Sequence, residues 1–292
     1  MKQKEKYSRL GLLFVAPALL FYGAFVLFPL LKELQYSLYK WDGIGPKVFV
    51  GFSNYFQVFT DPDLLGSMLN SIYLIIFFTL IPVSLGIVLA SLIRTHSSGK
   101  FRTITQVILF LPQIIPLAAA GIAWSWMYAK TGAVNQILDW IGLGNLARPW
   151  LGDFNTALPA IGVIGSWVLT GLCTILFVTG MGKIDPSLYE AVRIDGAGWW
   201  REFFTVTIRG LKQEISILIT ITVIAALSSF DIIYVTTLGG PGRNTLVPGI
   251  SIYRLGFTQS AVGLASAFGV VLMILVLLVV LPIQLLSRRS DL

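Results

Sequence analysis

Residues 157–180 read ALPAIGVIGSWVLTGLCTILFVTG and contain no charged side chain. The gap in charge extends from Asp153 to Lys183. A helix needs about 20 apolar residues to cross the ~30 Å hydrocarbon core of a bilayer. The stretch is longer than that, so it predicts a transmembrane helix.

Four other stretches lack charge over a similar length. They lie between Arg9 and Lys32, Asp63 and Arg94, Arg102 and Lys130, and Arg254 and Arg288. A sixth stretch, from Glu214 to Arg243, is interrupted only by Asp231. The pattern predicts an all-α polytopic membrane protein with six transmembrane helices in one domain over residues 1–292. The predicted spans are residues 10–31, 67–93, 104–128, 157–180, 215–236 and 264–287.

The composition supports this class of protein. Apolar residues make up 55% of the chain and charged residues 12%, with a mean hydropathy of +0.80, which excludes an ordinary soluble domain. The first span follows four basic residues, as the core of a signal peptide does. Its apolar run is longer than such a core and no small-x-small cleavage site follows, so we expect a retained helix.

The distribution of lysine and arginine predicts the orientation. The N-terminus, the 94–103 loop, the 181–213 loop and the C-terminal tail hold 14 of the 21 basic residues, and the other connections hold seven over a longer total length. Basic residues are enriched on the cytoplasmic side of membrane proteins. Both termini and the 181–213 loop are therefore predicted to be cytoplasmic. The net charge of +7 reflects this bias, and it favours contacts with anionic lipid.

The chain lacks the residue clusters of catalytic and metal sites. Cys173 is the only cysteine and lies in the fourth span, while His96, the only histidine, lies in a short loop. No phosphate-binding glycine-rich loop, nucleophile–base pair or basic stripe interleaved with aromatic residues occurs. We expect no enzymatic activity, no metal site and no binding of nucleic acid.

Asp231 is the one charged residue inside a predicted span. An ionisable side chain in a membrane helix is costly and is often functional. At 100° per residue, one helix face carries Ser216, Thr220, Asp231 and Tyr234. Apolar residues interrupt this stripe, so it predicts either the lining of a substrate pathway or hydrogen bonding between helices.

The third span contains two prolines, Pro112 and Pro116, which predict either a bend or a simple packing kink. Tryptophans in the third and fourth spans are typical of interface anchors or packing groups. The alternative is that Trp124 or Trp167 stacks on a sugar ring.

The 181–213 loop contains the sequence Tyr-Glu-Ala-Val-Arg-Ile-Asp-Gly-Ala at residues 189–197. Asp185 followed by Pro186 predicts the start of a short helix. Gly196 predicts its end, because a left-handed residue commonly follows the last helical turn. Apolar residues from Trp199 to Ile208 predict a second helix. Such a helix–glycine–helix pair is suited to docking with a partner outside the bilayer.

This segment resembles the EAA loop of permease subunits in bacterial ABC importers, which reads Glu-Ala-Ala, three residues, Gly, nine residues, Ile-x-Leu-Pro. Glu190, Ala191 and Gly196 match, Val192 replaces the second alanine, and Arg209 replaces the proline. Phrases at 49–55 and 230–241 are similar to segments of maltose- and glycerol-phosphate-type permeases. Residues 239–242 also fit a tight external turn.

The resemblance implies the MetI-like permease fold in the bacterial inner membrane, with half of a carbohydrate translocation pathway in this chain. The implied partners are a second homologous permease, an extracytoplasmic solute-binding protein and two cytosolic ATPase subunits that bind ATP and Mg. The implied ATPase-coupling residues are Glu190, Ala191, Val192, Asp195 and Gly196. The chain itself would need no cofactor, and the carried sugar, polyol or glycerol phosphate stays open.

Two other classes of membrane protein fit less well. An ion-coupled transporter usually has ionisable groups near the midplane of the bilayer or broken helices in paired repeats. Only Asp231 is available, and it is expected toward the outer leaflet. A membrane enzyme would need clustered carboxylates or histidines at a membrane face, and none cluster in this sequence.

Overall fold

The structure is a computed structural model that describes residues 14–96 and 99–289, and these residues are mostly helical. Five helices are long and apolar enough to cross a membrane, and a sixth span results if one bent pair of helices is counted as a unit. The predicted all-α membrane fold is confirmed. The first predicted span begins at residue 10, so its first four residues lie outside the described residues.

The described residues form helices of very different lengths and one short pair of strands. In chain order, the helices are α1 (Phe14–Tyr36), α2 (Ser53–Thr60), α3 (Pro62–Thr95), α4 (Gly99–Ile114), α5 (Leu117–Met127), α6 (Ala133–Trp140), α7 (Ala157–Met181), α8 (Pro186–Ile194), α9 (Trp199–Glu202), α10 (Lys212–Leu227), α11 (Asp231–Thr236), α12 (Pro248–Tyr253) and α13 (Val262–Arg289). Strands β1 (Tyr39–Lys40) and β2 (Val48–Phe49) pair antiparallel. Helices α1 and α3 each contain a π-helical turn, and another follows α12. After α9, a π-helical turn at Phe203–Thr207 leads into a further helical turn at Ile208–Gly210, so the second helix predicted from Trp199 to Ile208 is observed.

Contacts divide the described residues into two compact units, which lie within residues 14–61 with 252–273 and within residues 62–251 with 274–289. In the first unit, Asn54 Nδ2 donates hydrogen bonds to the carbonyl oxygens of Ser37 (2.8 Å) and Tyr39 (2.9 Å). The hydroxyl of Tyr55 lies 2.6 Å from that of Ser37. The Asn-Tyr pair of the 49–55 phrase therefore fixes the chain where it leaves α1.

In the second unit, the mostly buried helix α7 packs against α3 and α4 through glycines. A Cβ at Gly165 would lie 2.3 Å from a ring carbon of Phe78 in α3. A Cβ at Gly171 would lie 2.0 Å from the carbonyl oxygen of Leu109 in α4. Small residues allow membrane helices to approach this closely, and the sequence of α7 thereby determines how its neighbours pack.

The third predicted span, residues 104–128, is not one helix. It consists of α4 and α5, which meet at 95°. Pro112 lies within α4 without ending it, whereas Pro116 caps α5 with an extended ψ of 134°. Because the residue before a proline is driven away from helical geometry, the break falls at Ile115. Of the two alternatives from the sequence, the bend is observed, and it is far larger than a packing kink.

The fifth predicted span, residues 215–236, is also interrupted. Helix α10 ends at Leu227 and α11 begins at Asp231, with Phe230 at φ −140° and ψ −60° between them. A Cβ at Gly121 of α5 would lie 2.5 Å from Cγ2 of Val235, so α11 packs closely on α5. The prediction that Ser216 and Asp231 lie on one helix face assumed a continuous helix. This assumption is wrong, because the three residues between α10 and α11 are not helical and the 100° rotation per residue does not apply to them.

Candidate functional site

Helix α8 of the 181–213 loop begins as the sequence predicts. The Asp185 carboxylate accepts a hydrogen bond from the backbone N–H of Ser187 at 2.9 Å, and Pro186 occupies the first helical position. This hydrogen bond lowers the pKa of the Asp185 carboxyl below its usual range. The cap satisfies a backbone donor that no helical carbonyl can reach, so α8 has a defined start.

The end of α8 also agrees with the sequence prediction. Gly196 has a φ of +76°, and the backbone N–H of Ala197 donates to the carbonyl of Val192 at 3.1 Å. A side chain is strained at this φ, although a Cβ at Gly196 would meet nothing within 4 Å. Gly196 is therefore required by the backbone turn and not by close packing.

One side of α8 is exposed and the other is anchored. Five of the exposed residues in α8 and at its C-terminal cap combine two carboxylates with apolar side chains: Leu188, Glu190, Ala191, Ile194 and Asp195. Pro186, Ser187 and Arg193 are exposed as well. Ile194 is 85% exposed, which is unusual for an isoleucine in an ordered helix. Val192 is half-buried and Tyr189 is buried. Helix α8 thus has a mixed acidic and apolar surface that nothing in the described chain covers.

The anchored side of α8 meets a buried carboxylate. Glu202 of α9 is 4% exposed and accepts a 2.8 Å hydrogen bond from Nε of Arg193 and another from Nη2 of Arg94. Burial alone raises the pKa of the Glu202 carboxyl, but the bonds from Arg193 and Arg94 outweigh it, so its pKa is lowered. The same contact raises the pKa of Arg193.

A second candidate region surrounds Asp231, which begins α11. A cavity of about 220 Å³ in the second unit lies at the break between α4 and α5 and at the break between α10 and α11. Its polar lining consists of Gln113, Ser228, Ser229 and Asp231. The buried Oε1 of Gln113 and Oγ of Ser229 have no hydrogen-bond partner in the described structure. Unsatisfied buried polar atoms are uncommon in proteins. These two oxygens are therefore candidates for hydrogen bonds with a polar ligand or water in the cavity.

The other predicted pathway residues do not line this cavity. Thr220 donates its hydroxyl to the carbonyl of Ser216 at 2.8 Å, within α10. Tyr234 stacks on Phe230, with ring centroids 5.1 Å apart. Of the residues grouped by the sequence, Asp231 alone borders the cavity.

The two tryptophans predicted as packing groups or sugar platforms contact each other. Trp124 of α5 and Trp167 of α7 meet edge to face with centroids 5.6 Å apart, and Trp124 also lies 5.1 Å from Tyr128. Trp167 remains 38% exposed. Trp124 therefore packs against Trp167 and Tyr128, and stacking of either tryptophan on a sugar ring stays a prediction.

Residues 239–242 form a turn, and the segment that follows this turn is fastened to α3. Gly239 has a φ of 90°, which only glycine adopts easily. Asn70 Nδ2 of α3 donates to the carbonyl oxygens of Asn244 (3.0 Å) and Leu246 (2.8 Å). The segment after α11 is thus held in place along the end of α3.

Four residues of these sites were not predicted from the sequence: Arg94, Glu202, Gln113 and Ser229. Arg94 and Glu202 are 108 positions apart and look like ordinary loop charges. Gln113 did carry a signal, because it is an amide between two prolines in an otherwise apolar span.

The sequence belongs to a known family of membrane proteins. Residues 83–291 match the model of the binding-protein-dependent transport system inner membrane component, so the chain is a member of that family. It is a permease of the ABC transporter class, which is a transport protein and not an enzyme.

Two relatives are named for the uptake of different sugars. The lactose transport system permease protein LacF of Rhizobium radiobacter is 33% identical over 259 residues, covering 87% of this chain and 85% of LacF. The diacetylchitobiose uptake system permease protein NgcF of Streptomyces coelicolor is 30% identical over 292 residues, covering 96% and 82%.

Solved structures share the fold. One chain of a bacterial ABC transporter involved in the import of the acidic polysaccharide alginate superposes with a TM-score of 0.84 at 24% identity, covering 99% of both chains. A second structure, of the bacterial alginate ABC transporter in complex with alginate pentasaccharide-bound periplasmic protein, gives 0.82, also at 24% identity, over 99% and 97%. These likenesses confirm the permease fold.

Proposed function

We propose that this chain forms half of the translocation pathway of an ATP-driven sugar or oligosaccharide importer, and that a second homologous permease forms the other half. The many apolar side chains exposed on the described helices support this proposal, because they need lipid or another membrane subunit to cover them. The chain lies in the bacterial inner membrane, with both termini on the cytoplasmic side.

The 181–213 loop couples this pathway to two ATPase subunits, which bind ATP and Mg. The observation that carries this step is the exposed acidic and apolar surface of α8, which is held at both ends by caps and lies between the membrane helices α7 and α10. Glu190, Ala191 and Asp195 contact the ATPase, whereas Val192 and Gly196 maintain the helix and its turn. A short capped helix passes on a rigid-body movement that a flexible loop would absorb.

A solute-binding protein delivers the sugar at the opposite side of the membrane. The alginate transporter, which shares this fold, is described in complex with a periplasmic protein loaded with a pentasaccharide. In this chain the fastened segment after α11 faces that partner. Closure of the ATPases on ATP moves α8 and opens the pathway outward, and hydrolysis returns it to the inward-facing state.

The cavity beside Asp231 is the part of the pathway that meets the solute. Hydroxyl groups of a sugar both donate and accept hydrogen bonds, so they match the unpartnered oxygens of Gln113 and Ser229 and the carboxylate of Asp231. The breaks in α4–α5 and α10–α11 support this role, because interrupted helices commonly form substrate sites in transporters.

Cysteine labelling tests the orientation that this function requires. In a Cys173→Ala background, Ser53→Cys should react with a membrane-impermeant maleimide on intact spheroplasts, and Ser187→Cys should react only after permeabilisation. Both side chains are exposed, so burial does not limit either reaction. Labelling of position 187 from outside would contradict the cytoplasmic location of α8 and with it the coupling proposal.

A further inference from the structure

Three charged residues and one aromatic residue meet at the inner side of α8; we call them the Glu202 cluster: Arg94, Tyr189, Arg193 and Glu202. Glu202 is the buried centre, and both of its carboxylate oxygens are occupied. The guanidinium of Arg94 also lies over the ring of Tyr189, 3.6 Å from its centroid. A planar guanidinium can make both contacts at once, which lysine cannot do.

The cluster joins three separate helices. Arg94 lies at the end of the long membrane helix α3, Tyr189 and Arg193 lie one turn apart on α8, and Glu202 is the last residue of α9. Two arginines share one carboxylate, so removal of Glu202 leaves two cations facing each other without compensation. The Glu202 carboxylate therefore holds α8 to the end of α3.

The chain connects α8 to α7 on one side and to α9 on the other, so no covalent link runs directly from α8 to α3. Residues 195–198 link α8 to α9 and include Gly196 and Gly198. A Cβ would meet nothing within 4 Å at either glycine, so packing does not restrict this linker. The backbone turn at Gly196 sets the path of this linker, whereas the contact of α8 and α9 with the end of α3 is made by side chains of the Glu202 cluster.

We infer that Glu202 is the positioning residue that transmits movement of α8 to the membrane helix α3. The inference rests on the proposed coupling function and adds the route by which force enters the membrane. When the ATPases move α8, the two arginines and Glu202 move together, and the end of α3 follows. Arg94, stacked on Tyr189, is the contact point on α3.

Distance measurements between spin labels test this inference. Labels at Leu92→Cys in α3 and Ile194→Cys in α8, in a Cys173→Ala background, occupy exposed positions outside the cluster. The importer is purified through a tag on this chain from its native host and measured without nucleotide and after trapping with MgATP and vanadate. The natural cluster should give one narrow distance in both states, because the two helices move as one body.

Glu202→Gln should broaden the distance distribution about twofold or more in the trapped state, because the uncharged amide cannot hold two guanidinium groups. Sugar uptake per ATP hydrolysed should fall about tenfold or more, since a buried ion pair has lost its central charge. Arg201→Gln is the matched control, because this exposed neighbour lies outside the cluster and should keep the narrow distance.

An unchanged narrow distance in Glu202→Gln would overturn the inference. If Glu202→Gln does not assemble, Arg193→Lys is the second variant. It keeps the positive charge but lacks the two guanidinium donors that reach Glu202, so it should broaden the distance distribution partially. Loss of assembly in this variant too would make Glu202 a folding residue and would also overturn the inference. ATPase subunits should co-purify with Glu202→Gln as with the natural chain. Their absence from the natural chain would instead contradict the coupling proposal on which the inference rests.

Discussion

Glu190→Lys should leave the chain folded and membrane-inserted, and should lower transport-coupled ATP hydrolysis by about tenfold or more, since like or mismatched charges across an interface cost several kcal/mol. Glu190 is exposed, and its charge is only the smallest of the contributions to the raised pKa of Arg193. The fold therefore does not depend on its charge. The measurement is MgATP hydrolysis by the importer in lipid nanodiscs, normalised to the amount of this chain.

Arg209→Glu provides the matched control, because it reverses an exposed charge in the same loop but outside α8. It should retain most of the activity. Equal loss in both variants would indicate a general effect of loop charge, and full activity of Glu190→Lys would remove the coupling role from α8.

Two glycine variants examine the geometry of the same helix. Gly196 has a φ of +76° and Gly198 a φ of −74°, and both positions are open to solvent. Valine is strained at the first and fits the second without strain, so Gly196→Val should uncouple hydrolysis while Gly198→Val should not. The pair separates the effect of added bulk from that of the left-handed turn.

Asp231→Asn should keep the fold and change uptake, because the amide has the same volume but lacks the charge. A hydrogen bond to a charged group contributes about 1.5–3 kcal/mol, so the apparent affinity for the sugar should fall about tenfold or more. Uptake of radiolabelled lactose, diacetylchitobiose and alginate oligosaccharides by membrane vesicles identifies the cargo first, and the variant is then compared on that sugar.

Two further variants separate a pathway from a packing role. Asp231→Leu should assemble normally with the second permease and lose uptake if Asp231 meets the solute. It should assemble poorly if the carboxylate instead holds helices together. Ser229→Ala should also weaken uptake, because Ser229 lines the cavity and its hydroxyl has no hydrogen-bond partner in the described chain. Unchanged uptake in all three variants at normal assembly would exclude the cavity from the pathway.

Much of the fold follows from local sequence. A membrane helix needs only enough apolar residues, so gaps in charge locate the spans, and α7 matches its predicted limits within one residue. The helix in the 181–213 loop could be predicted equally well. The cap at Asp185 and the turn at Gly196 each depend on residues only a few positions apart in the sequence.

The sequence did not reveal the features that depend on distant contacts. The bend between α4 and α5 could be suspected from Pro116, but its 95° angle depends on how neighbouring helices pack. No proline or glycine marks the break before Asp231, where α11 packs against Gly121 of α5. Glu202 and Arg94 meet only in the folded chain, so neither could be identified as part of the site.

Cross-linking from α8 tests the central claim most directly. Ile194→Cys, in a Cys173→Ala background, places a reactive group on the most exposed apolar residue of α8. A short bifunctional photoreactive maleimide applied to native membranes should join this chain to an ATPase subunit, identified by mass spectrometry, and MgATP with vanadate should alter the yield. A cross-link from position 194 only to lipid or to the second permease, with the ATPase present, would contradict the account.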